Sequence, residues 1–271
     1  MKTIETVKKG YTKDDLKSCL LKMGLTGKEA IMVHSSMKSI GQVDGGADTV
    51  VDALMEYFAD GLLMTPTHTW AQMSRDYNVF DPATERACVG IIPNIFMKRE
   101  GVLRSLHPTH SIAACGKRAV DYIRGEENAT SPCPPGGCWD RLKDINAKIL
   151  LLGVTHTRNT YIHSVDEVMG LADRLTDQPT AMQIVMPDGS RKEVQMYRHF
   201  NRTLGTDCFS DQFDKMRLIF EKAGAAVNVR FGDAECILCD ARKIFEVCQT
   251  LFSIDPDCVI CREEIPMQWW Q

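Results

Sequence analysis

The stretch 148–171 places the strictest limits on how this chain can fold. Its apolar run, 149–154, is typical of a buried strand, and the polar segment Thr-His-Thr-Arg-Asn that follows it predicts a turn. A helix is expected next, capped by Asn159 or Thr160, because apolar residues then recur at helical spacing. A strand that runs into a helix in this way favours an α/β sheet, in which sites commonly lie just beyond the strand ends.

On that predicted helix, His163 precedes Asp166 by three residues and Glu167 by four. Side chains three and four apart share a helix face, so the imidazole is offered one or two carboxylate partners. A carboxylate raises the basicity of a histidine and fixes its tautomer, which leaves the other ring nitrogen free to accept a proton. The alternative is a surface histidine with ordinary helix charges, since such pairs are frequent.

Composition excludes several classes of protein. The 271 residues are 44% hydrophobic and 25% charged, enough for a large core in one α/β domain or two coupled lobes. A net charge of −4 argues against a nucleic-acid binder, and no run approaches the roughly 20 apolar residues of a membrane span. The polar N-terminus lacks the apolar region of a secretion signal, so we expect a cytoplasmic protein without nucleic-acid or membrane partners.

Eleven cysteines are present, an odd number that favours reduced thiols in such a protein. Two CxxC pairs, Cys236/Cys239 and Cys258/Cys261, have a spacing compatible with a zinc ribbon. The residues between the pairs indicate an amphipathic helix, and the pairs lack the glycines of zinc knuckles. Buried free thiols are therefore the preferred interpretation, with structural zinc as the alternative.

Elsewhere the pattern alternates strands with helices over the first 170 residues and then adds antiparallel strands. We predict helices at 12–24, from 44–47 onward, at 89–98, within 131–142, at 210–224 and at 240–252, and strands at 30–34, 61–70, 112–115, 225–230 and 234–239, with a hairpin turning at 187–190.

The loop after the first strand, HSSMKSIG, leads through Gly-Gly into a helix N-terminus. Free amides and the positive end of the helix dipole form an anion site at such a position, and Ser35, Ser36, Ser39 and Lys38 would supplement it. An ordinary strand–helix connection is the alternative. His107 and His110 have a spacing that metal ligands use, but Pro108 points the two rings in different directions.

Four blocks together resemble the aminoglycoside 3-N-acetyltransferase family, also called the antibiotic N-acetyltransferase family. They are MVHSSMKSIGQVDGGADTVVDAL, GLLMTPTHTW, DPATERACVGIIPNIFMKREGVLRSLHPTHSIAACG and ILLLGVTHTRNTYIHSVDEV, and they span about residues 30–170. The resemblance implies one domain over 1–271, with a mixed central sheet flanked by helices and an antiparallel section in the looser C-terminal part, 172–271. This fold differs from the common acetyltransferase fold with a Gly-rich loop.

The resemblance also implies a reaction and a set of site residues. Acetyl-CoA would donate its acetyl group to a cationic amine, usually the 3-amino group of a deoxystreptamine ring, without a metal. His163 resembles the catalytic base, and Asp166 stands where the family often has Glu, so either Asp166 or Glu167 would orient the ring. The expected acetyl-CoA contacts are His34, Ser35, Ser36, Met37, Lys38, Ser39, Ile40, Gly41, His107, Pro108, Ser111, Ile112 and Ala113.

For the acceptor we expect the strand-end residues Thr67, Thr69 and Trp70, with Asp76, Tyr77, Asp81 and Glu85 of the loop 71–88 holding a polycation. Direct attack of the amine is the preferred route, with an oxyanion donor near Ser36 or Thr69, and an acyl-enzyme on Cys115 is the alternative. The first alternative is the same fold acetylating a different amine metabolite. A non-catalytic CoA- or polyamine-binding protein and a zinc-dependent hydrolase using His107, His110 and His163 remain alternatives of other classes. The chain is expected to be a monomer or a homodimer.

Overall fold

The computed structural model describes residues 10–270. Residues 1–9 and residue 271 lie outside the described residues. The prediction that the N-terminus carries no secretion signal therefore falls largely on residues that the structure does not describe. The helices are α1 (Lys13–Lys22), α2 (Gly46–Tyr57), α3 (Ile91–Phe96), α4 (Ala119–Tyr122), α5 (Cys138–Asp144), α6 (Tyr161–Val168), α7 (Arg217–Lys222), α8 (Ala241–Ile254) and α9 (Cys258–Cys261). Short 3-10 helices span Met37–Ser39, Glu126–Asn128, His156–Arg158, Phe209–Met216 and Met267–Trp270.

The strands are β1 (Ala30–Ser35), β2 (Leu62–Pro66), β3 (Val79–Phe80), β4 (Leu103–Arg104), β5 (Ile112–Gly116), β6 (Lys148–Leu152), β7 (Thr180–Val185), β8 (Arg191–Met196), β9 (Ala226–Phe231) and β10 (Ala234–Asp240). Seven of them form a central sheet in the order β4-β5-β2-β1-β6-β10-β9. In it β1 runs parallel to β2 and β6, whereas β5 and β10 pair antiparallel with β2 and β6. The predicted mixed sheet is therefore confirmed.

Both faces of the central sheet are covered, which explains the uninterrupted apolar run in β6. Leu150 and Leu152 join a core with α1, α2 and α3 on one face. Ile149 and Leu151 point to the opposite face, where α5, α6 and α8 supply the partners. Alternate side chains of one strand thus belong to two different cores, as the pleat of a strand requires.

A smaller sheet has the order β3-β7-β8 and its own core around Phe80, Met182 and Ile184. The predicted hairpin is confirmed: β7 and β8 pair antiparallel, and Gly189 in the turn between them has φ +81°. A positive φ at this point favours glycine, because a Cβ atom would strain the turn.

Three predictions of local structure need correction. The segment 209–216 is a 3-10 helix, and α-helix begins only at Arg217. Residue Thr160 precedes α6, but its side chain makes no capping bond, and the capping bond of this region is that of Thr155 to the amide of Thr157. The expected cap on Asn159 is also absent, since its amide side chain lies against His156 instead.

The cysteine pairs do not converge. Cys236 and Cys239 of β10 lie in the cores on opposite faces of the sheet, because residues three apart in a strand point in opposite directions. Cys258 is buried and Cys261 is exposed. The free-thiol interpretation therefore fits, and one zinc ion cannot be held by this arrangement of side chains. In the part of the chain from 10 to 270, no helix is long and apolar enough to cross a membrane.

Candidate active site

The candidate site lies at the edge of the central sheet where the parallel strands β1, β2 and β6 end. His34 is near the end of β1, His68 follows β2, and His163 follows β6 on helix α6. Because β5 is antiparallel, its beginning meets the same edge and brings His110 there. Four histidines from distant parts of the sequence are thus collected at the place where open sheets commonly bind ligands.

These side chains surround a cavity of about 410 Å³, which is within the size range of small-molecule sites. The cavity is lined by His34, Ser35, Pro66, His68, Trp70, Cys88, Val89, Thr109, His110, Pro132, Val154, Thr157, Arg158, Thr160, His163, Arg198, His199, Asp207, Cys208 and Ser210. The Nε2 atoms of His34 and His68 and the hydroxyl of Ser35 are buried without a hydrogen-bond partner among the described residues. Buried polar atoms are normally satisfied, so a ligand in this cavity would supply what they lack.

His163 is buried at the cavity wall beside a carboxyl group. Its Nδ1 lies 3.7 Å from Oδ2 of Asp166, which is close for charges but too long for a hydrogen bond. Asp166 in turn lies 4.0 Å from Nε of Arg174, and this guanidinium is itself buried. The ring of His163 is packed between the edges of Phe209 and Phe213.

Glu167 does not face His163. Its Oε1 accepts from Nε2 of His199 at 3.1 Å and from the backbone amide of Cys133 at 2.8 Å, and its Oε2 accepts from the hydroxyl of Ser131. The ring of His199 stacks on that of His163, with centroids 3.9 Å apart and planes inclined by 21°. Consecutive carboxylates of α6 therefore approach two different imidazoles.

Burial sets the protonation of these groups. It lowers the pKa of His163 well below its usual value, and the positive charge of Arg174 adds to the shift. Burial also lowers the pKa of His34 to about 3. Asp166 shows the converse effect, since burial raises its pKa to about 8 although Arg174 opposes the shift. At neutral pH, His163 is therefore an unprotonated imidazole and Asp166 is largely a neutral carboxylic acid.

The loop between β1 and α2 begins directly after Ser35, which lines the cavity. Within it the hydroxyl of Ser39 donates to the carbonyl of Gly153 at 3.1 Å, just after β6, and lies 3.0 Å from the hydroxyl of Ser36. The carbonyl of Ile40 accepts from the amide of Asp233 in the β9–β10 turn at 2.8 Å. The loop is thus fixed between two neighbouring strand connections.

A family model described as aminoglycoside 3-N-acetyltransferase matches residues 32–253. The chain belongs to this family of acyltransferases. Aminoglycoside N(3)-acetyltransferase III of Salmonella sp. is 27% identical to this acetyltransferase over 258 residues, which cover 86% of this chain and 88% of the relative. Aminoglycoside N(3)-acetyltransferase IX of Micromonospora chalcea is likewise 27% identical, covering 86% of this chain and 90% of its own.

Solved structures share the fold. A histidine-to-alanine variant of aminoglycoside acetyltransferase AAC(3)-IVa in complex with a gentamicin superposes with a TM-score of 0.78 at 24% identity, covering 93% of this chain and 92% of that one. AAC-IIIb, in a binary complex with CoASH, gives a TM-score of 0.76 at 21% identity, with 91% and 97% covered. YokD of Bacillus subtilis gives 0.79 at 20% identity, with 92% and 96% covered.

In this acetyltransferase, the residues predicted to contact the donor divide into two groups. His34 and Ser35 line the cavity. The other predicted residues of this loop, Ser36–Gly41, follow directly in the chain and are absent from the lining, and the side chain of Ile40 is wholly buried in the core. The second predicted wall lies only partly at the cavity. Thr109 and His110 line the cavity, whereas the residues predicted there do not line it: His107, Pro108, Ser111, Ile112 and Ala113.

His107 is engaged with the backbone through both ring nitrogens. Its Nδ1 accepts from the amides of Thr109 and His110, and its Nε2–H donates to the carbonyl of Ser131 at 2.9 Å. This leaves no free nitrogen for a metal, so the geometry disfavours a zinc hydrolase built on His107 and His110. Cys115 lies outside the cavity lining, and burial raises the pKa of its thiol, which disfavours an acyl-cysteine route.

The predicted acceptor residues are also placed differently. Trp70 lines the cavity. Thr67 and Thr69 are fully buried, with their hydroxyls bonded to Ser111 and to the carbonyl of Pro108. Asp76, Tyr77, Asp81 and Glu85 are absent from the cavity lining, and the hydroxyl of Tyr77 donates to Glu85 on the surface. The suggested oxyanion donors are similarly occupied, since the amide of Ser36 donates to Leu152.

Sequence reasoning missed the wall that follows strand β8. Arg198, His199, Asp207, Cys208 and Ser210 all line the cavity. The first four lie in a stretch without helical or strand periodicity, and Ser210 is the first residue of the helix predicted at 210–224, so no pattern marks these residues as part of a site. Only the presence of a histidine at 199, one of seven in the chain, offered a signal.

Proposed function

We propose that this acetyltransferase moves the acetyl group of acetyl-CoA to an amine bound in the cavity, with His163 as the general base. The observation that carries the proposal is the state of this side chain. His163 lines the cavity, its buried Nδ1 has no hydrogen-bond partner among the described residues, and its lowered pKa keeps the ring unprotonated at neutral pH. An unprotonated imidazole is the form that a base requires.

In the proposed reaction, an ammonium group of the acceptor loses a proton to His163. The freed nitrogen lone pair attacks the thioester carbonyl carbon, and the C–N bond forms while the carbonyl π electrons move to oxygen. When the carbonyl re-forms, the C–S bond breaks and the thiolate of CoA leaves with its electron pair, taking the proton from the imidazolium. The nitrogen, which still carries the second proton of the ammonium, releases it to solvent as the neutral amide forms, so one proton is released for each acetyl group transferred. The hydroxyl of Ser35, buried without a partner among the residues 10–270, is the donor we assign to the oxyanion.

The donor is acetyl-CoA in this proposal, supported by the CoASH found in the structure of AAC-IIIb. The loop Ser36–Gly41 with Lys38 would hold the phosphates, and the N-terminus of α2 at Gly46 lies shortly after it. The exposed guanidinium of Arg158 at the cavity supplies a second positive charge for them. His34 and Ser35 would then meet the part of the donor nearest the thioester.

An aminoglycoside is the first candidate acceptor. It is supported by the names of the relatives and by the gentamicin held by AAC(3)-IVa. The 3-amino group of a deoxystreptamine ring would then be placed against His163.

A second candidate is a different amine of lower positive charge. Among the described residues, the cavity lining contains two arginines, Arg158 and Arg198, and one carboxylate, Asp207. A polycation is best held by several carboxylates, so this balance suits an amine that carries few positive charges or an added anionic group.

The test is release of CoA from acetyl-CoA with a panel of acceptors: deoxystreptamine aminoglycosides, simple polyamines, and monoamines that bear a carboxylate or phosphate. The thiol reagent is added only after quenching, because the protein itself carries eleven cysteines. Turnover confined to aminoglycosides would support the first candidate, and turnover confined to the anionic amines the second. Binding of acetyl-CoA without turnover of any amine would overturn the proposed activity.

The variant His163→Ala tests the base. We expect kcat to fall by about 10²–10⁴-fold, the usual contribution of general base catalysis. The KM for acetyl-CoA should change little. The matched control is His156→Phe, which alters a buried histidine outside the cavity and packed on Phe220. Equal losses in the two variants would contradict a specific role for His163.

A further inference from the structure

The imidazole of His163 is held by rings rather than by a carboxylate. Its Nδ1 has no hydrogen-bond partner in the described chain, and Asp166 lies 3.7 Å away. The broad contact is the stack on His199 at 3.9 Å, with Phe209 and Phe213 meeting the ring edge-on at 4.7 and 4.8 Å. Without a hydrogen bond from Asp166, the orientation of the ring depends on these neighbours.

His199 is itself fixed by a chain of hydrogen bonds. Its Nε2 bonds Glu167 at 3.1 Å, and this carboxylate also accepts from the amide of Cys133 and the hydroxyl of Ser131. The loop 131–133 therefore holds Glu167, and Glu167 holds His199. Both His163 and His199 lie on the cavity wall, so the stacked pair is part of the site and not of the core.

We propose that His199 is a positioning residue for the base, and that its ring, anchored by Glu167, holds the imidazole of His163 in its working orientation and keeps water from it. The proposal rests on the proposed role of His163. In this proposal Glu167 acts on His163 indirectly, by fixing His199. The spacing of four residues between His163 and Glu167 does not reveal this role. The proton still goes to His163, and His199 acts through it.

The surroundings of His163 give this proposal a measurable consequence. The charged or titratable groups that face it are Asp166 on its own helix, His199, His68, His110 and Arg174. Removing the stacked ring would admit water to His163. Protonation of His163 should then become easier, because burial opposes it in the intact site and the added water would stabilise the charged ring.

A metal ion is the competing explanation for the same side chains. Atoms of Cys133, Glu167 and His199 that can act as metal ligands lie within 4.8 Å of one another. Both oxygens of Glu167, however, already accept hydrogen bonds, and Nε2 of His199 takes part in one of them. These bonds account for the cluster without an ion.

Three variants separate the ring from the hydrogen bond. His199→Ala removes both, His199→Gln keeps a polar group for Glu167 without a ring, and His199→Phe keeps a ring without the bond. We expect kcat to fall by about 10- to 100-fold in the Ala and Gln variants, the cost of a misplaced catalytic group. The Phe variant keeps the stacking ring and loses its bond to Glu167, so its kcat should fall less than that of the Ala variant, and the KM for acetyl-CoA should stay unchanged. Melting temperatures show whether each variant is folded, and His156→Phe is the control.

The deciding measurement needs no turnover. The imidazole signals of His163, assigned by their loss in His163→Ala, are titrated by NMR in the free protein. We expect the His163 titration to move to higher pH by roughly one unit in His199→Ala and to stay in place in His199→Phe. If no amine is acetylated by the wild type, the proposed function fails, and this titration still decides the positioning role.

Three results would overturn the proposal. One is a His163 titration that is unchanged in His199→Ala. Another is a raised KM for the acceptor with unchanged kcat, which would make His199 an acceptor-binding residue. The third is loss of wild-type activity on treatment with a chelator and its return with Zn²⁺ alone, which would make His199 and Glu167 metal ligands.

Discussion

Asp166 combines properties that rarely occur in one carboxyl group. It is 1% exposed, neither of its oxygens has a hydrogen-bond partner in the described chain, and Arg174 approaches only to 4.0 Å. Burial therefore outweighs the guanidinium and raises the pKa to about 8. A carboxyl group in this state can neutralise an imidazolium beside it by losing its own proton, but in the resting site it has no charge to offer.

This raised pKa predicts how stability depends on pH. From about pH 4 to pH 8 the folded protein keeps a proton on Asp166 that the unfolded chain has released, so folding stability falls as the pH rises through this window. The fall is at most about 1.4 kcal/mol per pH unit. We expect Asp166→Asn, which cannot ionise, to gain stability relative to the wild type from pH 5 to pH 8, measured by urea unfolding.

The control for this titration is Asp188→Asn. Hydrogen bonds from Ser190 hold the pKa of Asp188 below 3.8, so it stays ionised throughout the range. The difference between Asp188→Asn and the wild type should not vary with pH. A constant difference for Asp166→Asn as well would show that Asp166 is ionised in the folded protein.

Only one of the two contacts between a carboxylate of α6 and an imidazole can be predicted from the sequence. His163 and Asp166 are three residues apart on one helix, and helical spacing brings them to one face as predicted. The same rule offers Glu167 as a partner for His163, and there it misleads. Glu167 is bonded instead by His199, 32 residues away, and no local periodicity encodes that contact.

The loop Ser36–Gly41 depends on its neighbours for its shape. Gly153, at φ +67°, lies so close to it that a Cβ atom there would come within 2.4 Å of Cβ of Ser39. A Cβ on Gly232 would likewise meet the carbonyl oxygen of Ile40 at 2.5 Å. Two glycines in the connections after β6 and β9 therefore allow the loop to pack against the strand ends.

We expect Gly153→Ala to displace this loop. The variant should lose about 1–3 kcal/mol of stability from strain and overpacking, and its KM for acetyl-CoA should rise more than its kcat falls. Steady-state kinetics with varied acetyl-CoA and a thermal melt measure the two effects. Gly189→Ala is the matched control, because Gly189 has φ +81° with nothing within 4 Å of the added atom. An unchanged KM in Gly153→Ala would show that the loop does not bind the donor.

Local patterns predict the elements well where each has its own signal. The Thr12–Asp15 capping box starts α1, and the Pro-Asp-Gly-Ser turn joins β7 to β8. The segment 209–216 was wrongly predicted because Phe209, Phe213 and Met216 point inward in either kind of helix. Their spacing marks a buried face and does not distinguish a 3-10 helix from an α-helix.

All seven histidines are buried, between 0% and 8% exposed. Burial is the main cause that lowers the pKa of six of them, to about 3 for His34 and about 4 for His156. The others with lowered values are His68, His107, His110 and His163. An interior with this many neutral imidazoles depends on their remaining unprotonated.

Mild acid should therefore destabilise the folded protein. Below about pH 6.5 the unfolded chain binds protons that the folded protein excludes, so stability falls as the pH drops, by at most about 1.4 kcal/mol per pH unit for each histidine. Asp166 acts in the opposite direction, because the folded protein keeps one proton on it that the unfolded chain releases. We expect a clear loss of urea stability between pH 7 and pH 5, and a smaller loss in His156→Phe. Equal stability at the two pH values would contradict neutral burial.

For the molecule as a whole, alternation of strands and helices predicts a mixed sheet with an antiparallel C-terminal section, and this is what forms. The strand order was not predictable, because β6 is placed between β1 and β10 by pairings that span more than 80 residues of sequence. The same long-range assembly puts residues 198–210 on the cavity. A wall built from irregular chain has no periodicity to reveal it.

Two cysteines at the cavity have a practical consequence. Cys88 and Cys208 are exposed, line the cavity, and come from chain segments more than 100 residues apart. Burial raises the pKa of both thiols, so they alkylate slowly at neutral pH and faster in mild alkali. A ligand in the cavity should protect each thiol from modification by a maleimide, and peptide mass mapping measures the modification. Ligand binding can then be followed even in variants that have no activity.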